Sequence, residues 1–301
     1  MERSFLAYLR GRCQSLRQVP VGIGDDAAVL DPPIGRQVLC TDQIIDGVDF
    51  RSDEQSLADV GYKSMAINLS DIAAMGAVPV AALVTLSLPK TNATRIAGEV
   101  YEGILQAAGQ FDVAIAGGDL STYEGPLALS VTMTGDVHGG EPWLRSGAKE
   151  GDAVLVSGAV GGSLLGRHLR PTPRIELAGR LRRLATVNAA IDVSDGLSLD
   201  LDRLLAASRV GAELDVDQIP IHEDAVARSR QTGLTPFQHA WSDGEDFELI
   251  VTMSPDDADR VLRCKELSVP MTRIGTVTGR TGLWKKSTGK VERLSPQGYQ
   301  H

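Results

Sequence analysis

The stretch GIGDDAAVLDPP, residues 22 to 33, limits what this chain can become. Gly22, Gly24 and Ala27 keep the spacing of a dinucleotide-binding turn, but such a turn needs a helix opening directly after its glycines. Asp31-Pro32-Pro33 follows too soon for that helix to form, because proline removes a donor and restricts the residue before it. Asp25 and Asp26 would also meet a pyrophosphate with like charge. No Gly-x-x-x-x-Gly-Lys-Ser/Thr string occurs either, which removes the P-loop. A metal site is the competing reading of the acidic turn.

The rest of the chain alternates apolar runs with turns. Residues 36–50 read as a strand ending in acidic residues, and 57–75 as a helix stopped by Gly76 with Pro79 beyond. A strand at 80–88, a helix over Thr94–Ala108, and strands at 113–119 and 127–137 complete a first half. Residues 138–152 are polar and turn-rich, a domain boundary. The second half opens with strand 153–158, the glycine turn 159–163 and a helix; strand 189–194, helix 197–209 and strands 247–253 and 271–279 follow. With 301 residues, two domains are expected, 1–140 and 141–301, in an α+β or α/β layered architecture. The turn GAVGGSLLG, 158–166, reads either as a phosphate cradle of backbone amides or as a tight packing turn.

Composition excludes several classes. A net charge of −9 argues against nucleic acid as a partner. No run of 18 apolar residues is present, so no membrane span is expected, and the first residues do not read as a secretory signal. Three widely spaced cysteines, Cys13, Cys40 and Cys264, read as reduced thiols of a cytoplasmic protein. Five histidines without zinc-like spacing and no Cys-x-x-Cys make zinc an unsuitable metal.

Aspartates recur where apolar segments end: Asp25, Asp26, Asp42, Asp119, Asp192 and Asp195. Singly, each reads as a turn or cap residue. The helix 57–75 sharpens the pattern, since Ser64, Asn68 and Asp71 fall on one face of an otherwise apolar segment. A buried polar stripe carrying a carboxylate costs several kcal/mol unless it is paired or metal-bound. Magnesium, which takes hard oxygen ligands, would relieve that cost.

GIGDDAAVL, CTDQIIDGVDF, AINLSDIAAMGA, AGGD, RSGAKEGD, HLRPTPRI, IDVSDGLSLDL and SDGEDFEL together resemble the thiamine-monophosphate kinase family, within the aminoimidazole ribonucleotide synthetase-like superfamily. The resemblance runs from about residue 20 to the C-terminal QGYQH. It implies a two-domain fold whose N-terminal mixed sheet, in a domain binding ATP and Mg²⁺, pairs across a homodimer. The C-terminal α/β domain would close over nucleotide and substrate. It implies ATP-dependent phosphorylation of thiamine monophosphate with several Mg²⁺ ions. Carried over by motif, Asp26, Asp42, Asp71, Asp119, Asp192 and Asp195 would be metal ligands, with Thr41 beside them. Gly117, Gly118, Arg145 and Ser194 would meet ATP, and Asp49, Glu245 and Tyr299 the acceptor side. No general base is expected, because the acceptor is already an anionic phosphate.

The chain departs from the family pattern in three places. Asp49 stands where a histidine is usual, Asp243 where a glycine is usual, and Cys40 where a serine precedes Thr41-Asp42. Other acceptors within the superfamily, or a binding protein without turnover, are the alternative readings. A relative activating a carbonyl or selenide should carry a nucleophilic Cys or a Lys in an N-terminal glycine-rich loop, which residues 1–21 lack. If the Asp49 carboxylate faces the acceptor phosphate, Asp49→His lowers the KM for thiamine monophosphate and leaves the KM for ATP unchanged. A raised acceptor KM would overturn that sign and make Asp49 an adapted ligand.

Overall fold

The computed structural model describes residues 2–13, 17–23, 27–31, 35–286 and 291–300. The chain divides into two compact units, one of Met1–Ile72 and Ala77–Glu141, the other of Ala73–Gly76 and Pro142–His301.

The first unit contains α1 (Glu2–Arg12), β1 (Gln37–Ile45), α2 (Leu57–Ala74), β2 (Val78–Pro89), α3 (Ala93–Gln110), β3 (Ala114–Tyr123) and β4 (Ala128–Asp136). Its sheet runs β1-β4-β2-β3, with β4 antiparallel to β1 and β2 and β3 parallel to β2, so it is mixed. The 113–119 strand is longer than its sequence pattern and continues as an exposed edge to Tyr123. Strand periodicity separates two faces. Val38, Ile44, Val84, Leu86, Leu129, Val131 and Met133 are buried, whereas Leu39 and Leu83 are 69% and 46% exposed on the opposite, open face. A groove of about 890 Å³ lies over that face, lined by Leu39, Leu83, Thr132, Gly117 and Gly118 among others.

Helices α2 and α3 cross at glycines. A Cβ on Gly103 would stand 1.7 Å from the Ala58 carbonyl oxygen, and one on Gly61 would stand 1.9 Å from that of Val100. Backbones this close leave no room for a methyl group. At the N-terminal end, Phe5 of α1 meets Tyr101 of α3 edge-on, and Arg12 pairs with Glu102 at 2.8 Å.

The second unit contains β5 (Ala153–Ser157), α4 (Ile175–Leu184), β6 (Val187–Asp192), α5 (Leu197–Ser208), β7 (Gly211–Leu214), α6 (Glu223–Thr232), α7 (Pro236–Ser242), β8 (Leu249–Met253), α8 (Pro255–Arg263), β9 (Met271–Thr278), β10 (Gly282–Lys286) and β11 (Val291–Leu294). They form one mixed sheet, β11-β10-β7-β9-β5-β8-β6. Its central strands are buried on both faces, which explains their unbroken apolar sequences. Val154, Val156, Ile191 and Ile250 face a core completed by Leu201, Leu204 and Leu205 of α5 and Trp241 of α7. Leu155, Ala190, Val251 and Met253 face the other core, with Leu177 and Leu181 of α4 and Val261 of α8. One expectation fails here. No α-helix follows the 158–166 turn, only two three-residue 3₁₀ segments, and the next α-helix begins at Ile175. Among the described residues, no helix is long and apolar enough to cross a membrane.

Two glycines of α3 test the crossing. Gly98 has nothing within 4 Å of its missing Cβ, so Gly98→Ala is expected to stabilise by about 0.5–1 kcal/mol through helix propensity. Gly103→Ala is expected to destabilise by about 2 to 3 kcal/mol, since backbone blocks the methyl group. Urea unfolding midpoints check both, and a neutral Gly103→Ala would contradict the crossing.

Candidate active site

In the first unit, β1 holds Cys40 and Asp42 on the face turned toward α2, while Thr41 lies on the open face. The Cys40 thiol donates to Asn68 Oδ1 at 3.5 Å, and Asn68 is fully buried. Thr41 Oγ1 donates to the Val131 carbonyl at 3.1 Å and meets Thr132 Oγ1 at 3.0 Å. Strand alternation therefore separates the Thr41 and Asp42 side chains, and only the Thr41 backbone shares the side of Asp42.

The polar stripe on α2 is largely answered within the helix. Ser64 donates to the Gly61 carbonyl at 2.8 Å, and the Asn68 amide donates to the Ser64 carbonyl at 3.1 Å. Asp71 is different. Its carboxylate and that of Asp42 both act on Cys40, and with burial as the first cause they push that thiol far above its ordinary range. Burial alone raises Asp42, and among the described residues no donor or cation answers its carboxylate. A half-buried, unanswered carboxylate beside a second one is a donor set suited to a hard cation.

Asp119 stands apart from that pair. The register runs Asp42–Val131–Val84–Gly118 across the sheet. Three strand spacings put Asp119 about 14 Å from Asp42, too far to share an ion. Gly118 has φ +153°, and a Cβ there would lie 1.8 Å from the Val84 carbonyl oxygen, so the Gly117-Gly118 pair is where β3 bends against β2. Gly24, Asp25 and Asp26 lie outside the described residues. On either side of them, Val29 donates to the Val21 carbonyl at 2.8 Å. The Asp49 carboxylate accepts from the Ile45 amide at 2.8 Å and so closes its own turn.

In the second unit the loop after β6 is the focus. Asp192 is buried at the strand end, and Ser194, Asp195 and Gly196 follow. The Glu245 amide donates to the Ser194 carbonyl at 2.7 Å, and the Tyr299 amide donates to the Asp195 carbonyl at 2.9 Å. Gly244 and Gly298 allow this closeness, since Cβ atoms there would fall 2.4 Å from the carbonyl oxygens of Ser194 and Asp195 respectively. Asp192, Ser194, Asp195, Glu245 and Tyr299, separated widely in sequence, thus converge on one loop. Arg145 is exposed, its carbonyl held by Ser208 Oγ at 2.9 Å.

Asp200 and Arg203 support this loop, and the motif reading did not single them out. One Asp200 oxygen accepts from the amides of Ser194, Asp195 and Gly196 at 3.0, 2.8 and 3.0 Å. Arg203 joins Asp200 at 2.8 Å to Asp195. The signal was available in IDVSDGLSLDLDR, where an acid in the first turn of a helix faces the orphan amides before it.

The glycine turn 158–166 does not offer its amides to a ligand. Gly161 donates to Asp246 at 2.8 Å and Gly162 to Asp243 at 3.1 Å, so the turn is a packing turn. Among the described residues, no group of three or more His, Cys, Asp or Glu side chains is drawn together as a metal cluster.

This fold and these motifs define a member of the AIR synthase related proteins: the model of their N-terminal domain matches residues 24–137, and that of their C-terminal domain matches 128–284. A curated thiamine-monophosphate kinase of Rhodopirellula baltica is 63% identical over 310 residues, covering 100% of this chain and 97% of that one. The chain belongs to the thiamine-monophosphate kinase family. The crystal structure of thiamine-monophosphate kinase from Stenotrophomonas maltophilia K279a superposes with a TM-score of 0.80 at 34% identity, covering 94% of this chain and 96% of that one. A structure of AaThiL complexed with AMPPCP and TMP gives 0.78 at 29% identity, covering 93% and 91%.

Burial, then the Asp192 charge, push the Asp200 carboxyl from 3.8 up to about 6, against the pull of the Asp195 amide and Arg203. A carboxyl with a raised folded pKa stabilises the fold when protonated. That contribution is complete below about pH 4 and is lost as pH rises through about 6. Asp200→Asn, measured by urea unfolding in EDTA, is expected to lose about 2 to 3 kcal/mol less than the parent between about pH 4 and about pH 7. Identical pH slopes would refute this.

Proposed function

We propose that the chain transfers the γ-phosphoryl group of ATP to thiamine monophosphate, forming thiamine diphosphate. The observation that carries the reading is the convergence of Asp192, Ser194, Asp195, Glu245 and Tyr299 on one loop. Kinship with the Rhodopirellula kinase supports it, as does a related structure bearing an ATP analogue and TMP.

The chemistry asks for little covalent help. The acceptor oxygen is anionic near neutral pH, so no base must remove a proton, and the difficulty is bringing two polyanions together in line. Mg²⁺ would supply the positive charge that neutralises the phosphates. Asp42 and Asp71 would hold one such ion in the first unit and Asp192 and Asp195 another in the second, while Asp119 would serve a separate ion and Asp26 is a further candidate ligand. Gly117 and Gly118 would admit the nucleotide closely, Ser194 would donate to it, and Arg145 would give a fixed cation. Glu245 and Tyr299 would line the acceptor, and Asp49 is a further candidate contact for it. A second copy of the chain would cover the open sheet face with its own, burying Leu39 and Leu83, and the dimer would work in the cytoplasm.

The direct test incubates the purified chain with ATP, Mg²⁺ and thiamine monophosphate and reads thiamine diphosphate by chromatography. Nucleotide binding without that product would assign the chain a different acceptor. Asp71→Asn keeps the side-chain shape and removes its charge, so turnover is expected to fall by about 100-fold or more with the circular dichroism spectrum unchanged. Parental turnover in the folded variant would remove Asp71 from the metal set.

A further inference from the structure

Residues 242–248 cross the second unit as a strap joining α7 to β8, and the strap carries unusual backbone. Glu245 and Phe247 both adopt left-handed φ values, +60° and +53°. Non-glycine residues hold such values only where surrounding bonds over-determine them.

Those bonds can be named on both sides. On one side, Glu245 and Phe247 donate their amides to the carbonyls of Ser194 and Val193 at 2.7 and 2.8 Å, which ties the strap to the loop after β6. On the other side the glycine turn acts as a buckle. Ser163 Oγ donates to the Gly244 carbonyl at 2.5 Å, Gly161 donates to Asp246 and Gly162 to Asp243. Arg167 adds a bond to Asp246 at 3.0 Å. Asp243 also accepts from Nδ1 of His239 at 2.9 Å, and Arg228 stands 3.6 Å away. His239 is itself 1% exposed and reaches Thr232 Oγ1 through its other nitrogen at 2.7 Å.

Asp243 is thus the strap residue joined at once to α6, α7 and the glycine turn, two positions before Glu245. It is also one of this chain's departures from the family pattern. We propose that Asp243 is a positioning residue for the acceptor: by tying the strap to His239 and the Gly162 amide, it sets the backbone of Glu245 and thereby acceptor affinity rather than the rate of transfer. The inference rests on the reading that Glu245 meets the acceptor. Arg167, pairing with Asp224 at 3.3 Å as well as Asp246, holds the far half of the strap independently, so loss of the Asp243 bonds loosens one end without releasing the other.

Steady-state kinetics of the full chain, varying thiamine monophosphate and ATP separately, test this with Asp243→Ala, Asp243→Asn and Glu245→Ala. Asp243→Ala is expected to raise the acceptor KM about tenfold, leaving kcat and the KM for ATP within about twofold. Asp243→Asn keeps an oxygen for the Gly162 amide and is expected to recover part of that loss, with a rise of about threefold. Should Asp243→Ala not fold, the Asn variant decides alone, and an unchanged acceptor KM there overturns the proposal. If Glu245→Ala raises the acceptor KM and both Asp243 variants do not, the positioning role fails while the site reading stands. If Asp243→Ala changes kcat and both KM values together, the residue is merely structural and the proposal is overturned. If Glu245→Ala leaves the acceptor KM unchanged, the reading fails and the inference falls with it.

Discussion

Carboxylates accepting backbone amides hold the second unit in its working shape. Asp200 gathers three successive amides, Asp246 and Asp243 take those of two adjacent glycines, and Asp152 takes that of Lys149 at 2.9 Å. Each is a charge-assisted bond made where a strand or turn ends and backbone groups lack a ladder partner. An acidic chain can afford many aspartates only if most have fixed donors, and here the fixed donors are the chain's own backbone. Asp42 is half-buried, and among the described residues no donor answers its carboxylate.

The two sheets place their sites by opposite means. In the second unit both faces are covered, so the groups left free of the core lie at the strand ends, where Asp192 and Ser194 sit. In the first unit one face is closed by helices and the other left open. Asp42 consequently points inward toward Asp71, while Thr41 points outward among Leu39 and Thr132. A one-residue shift of β1 would exchange these roles completely.

Much of this was legible in the residues. Strand runs, the helix at 57–75 and its polar face followed from periodicity. The motifs of the site were legible as a set, through resemblance. Their division was not. Sequence spacing cannot say that β1 and β3 lie at opposite edges of one sheet, because strand order is a long-range property; hence Asp42 and Asp119 read as one cluster although about 14 Å separates them. Nor could it say that the amides of Gly161 and Gly162 are already bound, since Asp243 and Asp246 lie some eighty residues away. Several short elements, including β7, β10 and α8, escaped notice because four to nine residues carry little periodicity.

The same long-range bonding explains why Glu245 differs in character from the aspartates at the strand ends. Aspartates at strand ends bring charge and reach, and the scaffold behind them is regular. Glu245 is instead held by backbone that costs on the order of 1 kcal/mol or more to maintain. That strain persists because the amides of Glu245 and Phe247 are both bound by carbonyls of the segment just after β6. Release of either bond would let the segment relax to an ordinary extended turn, and Glu245 would swing away from Ser194. A strained residue whose amide is tied to the Ser194 carbonyl is therefore a more demanding feature than any of the aspartates.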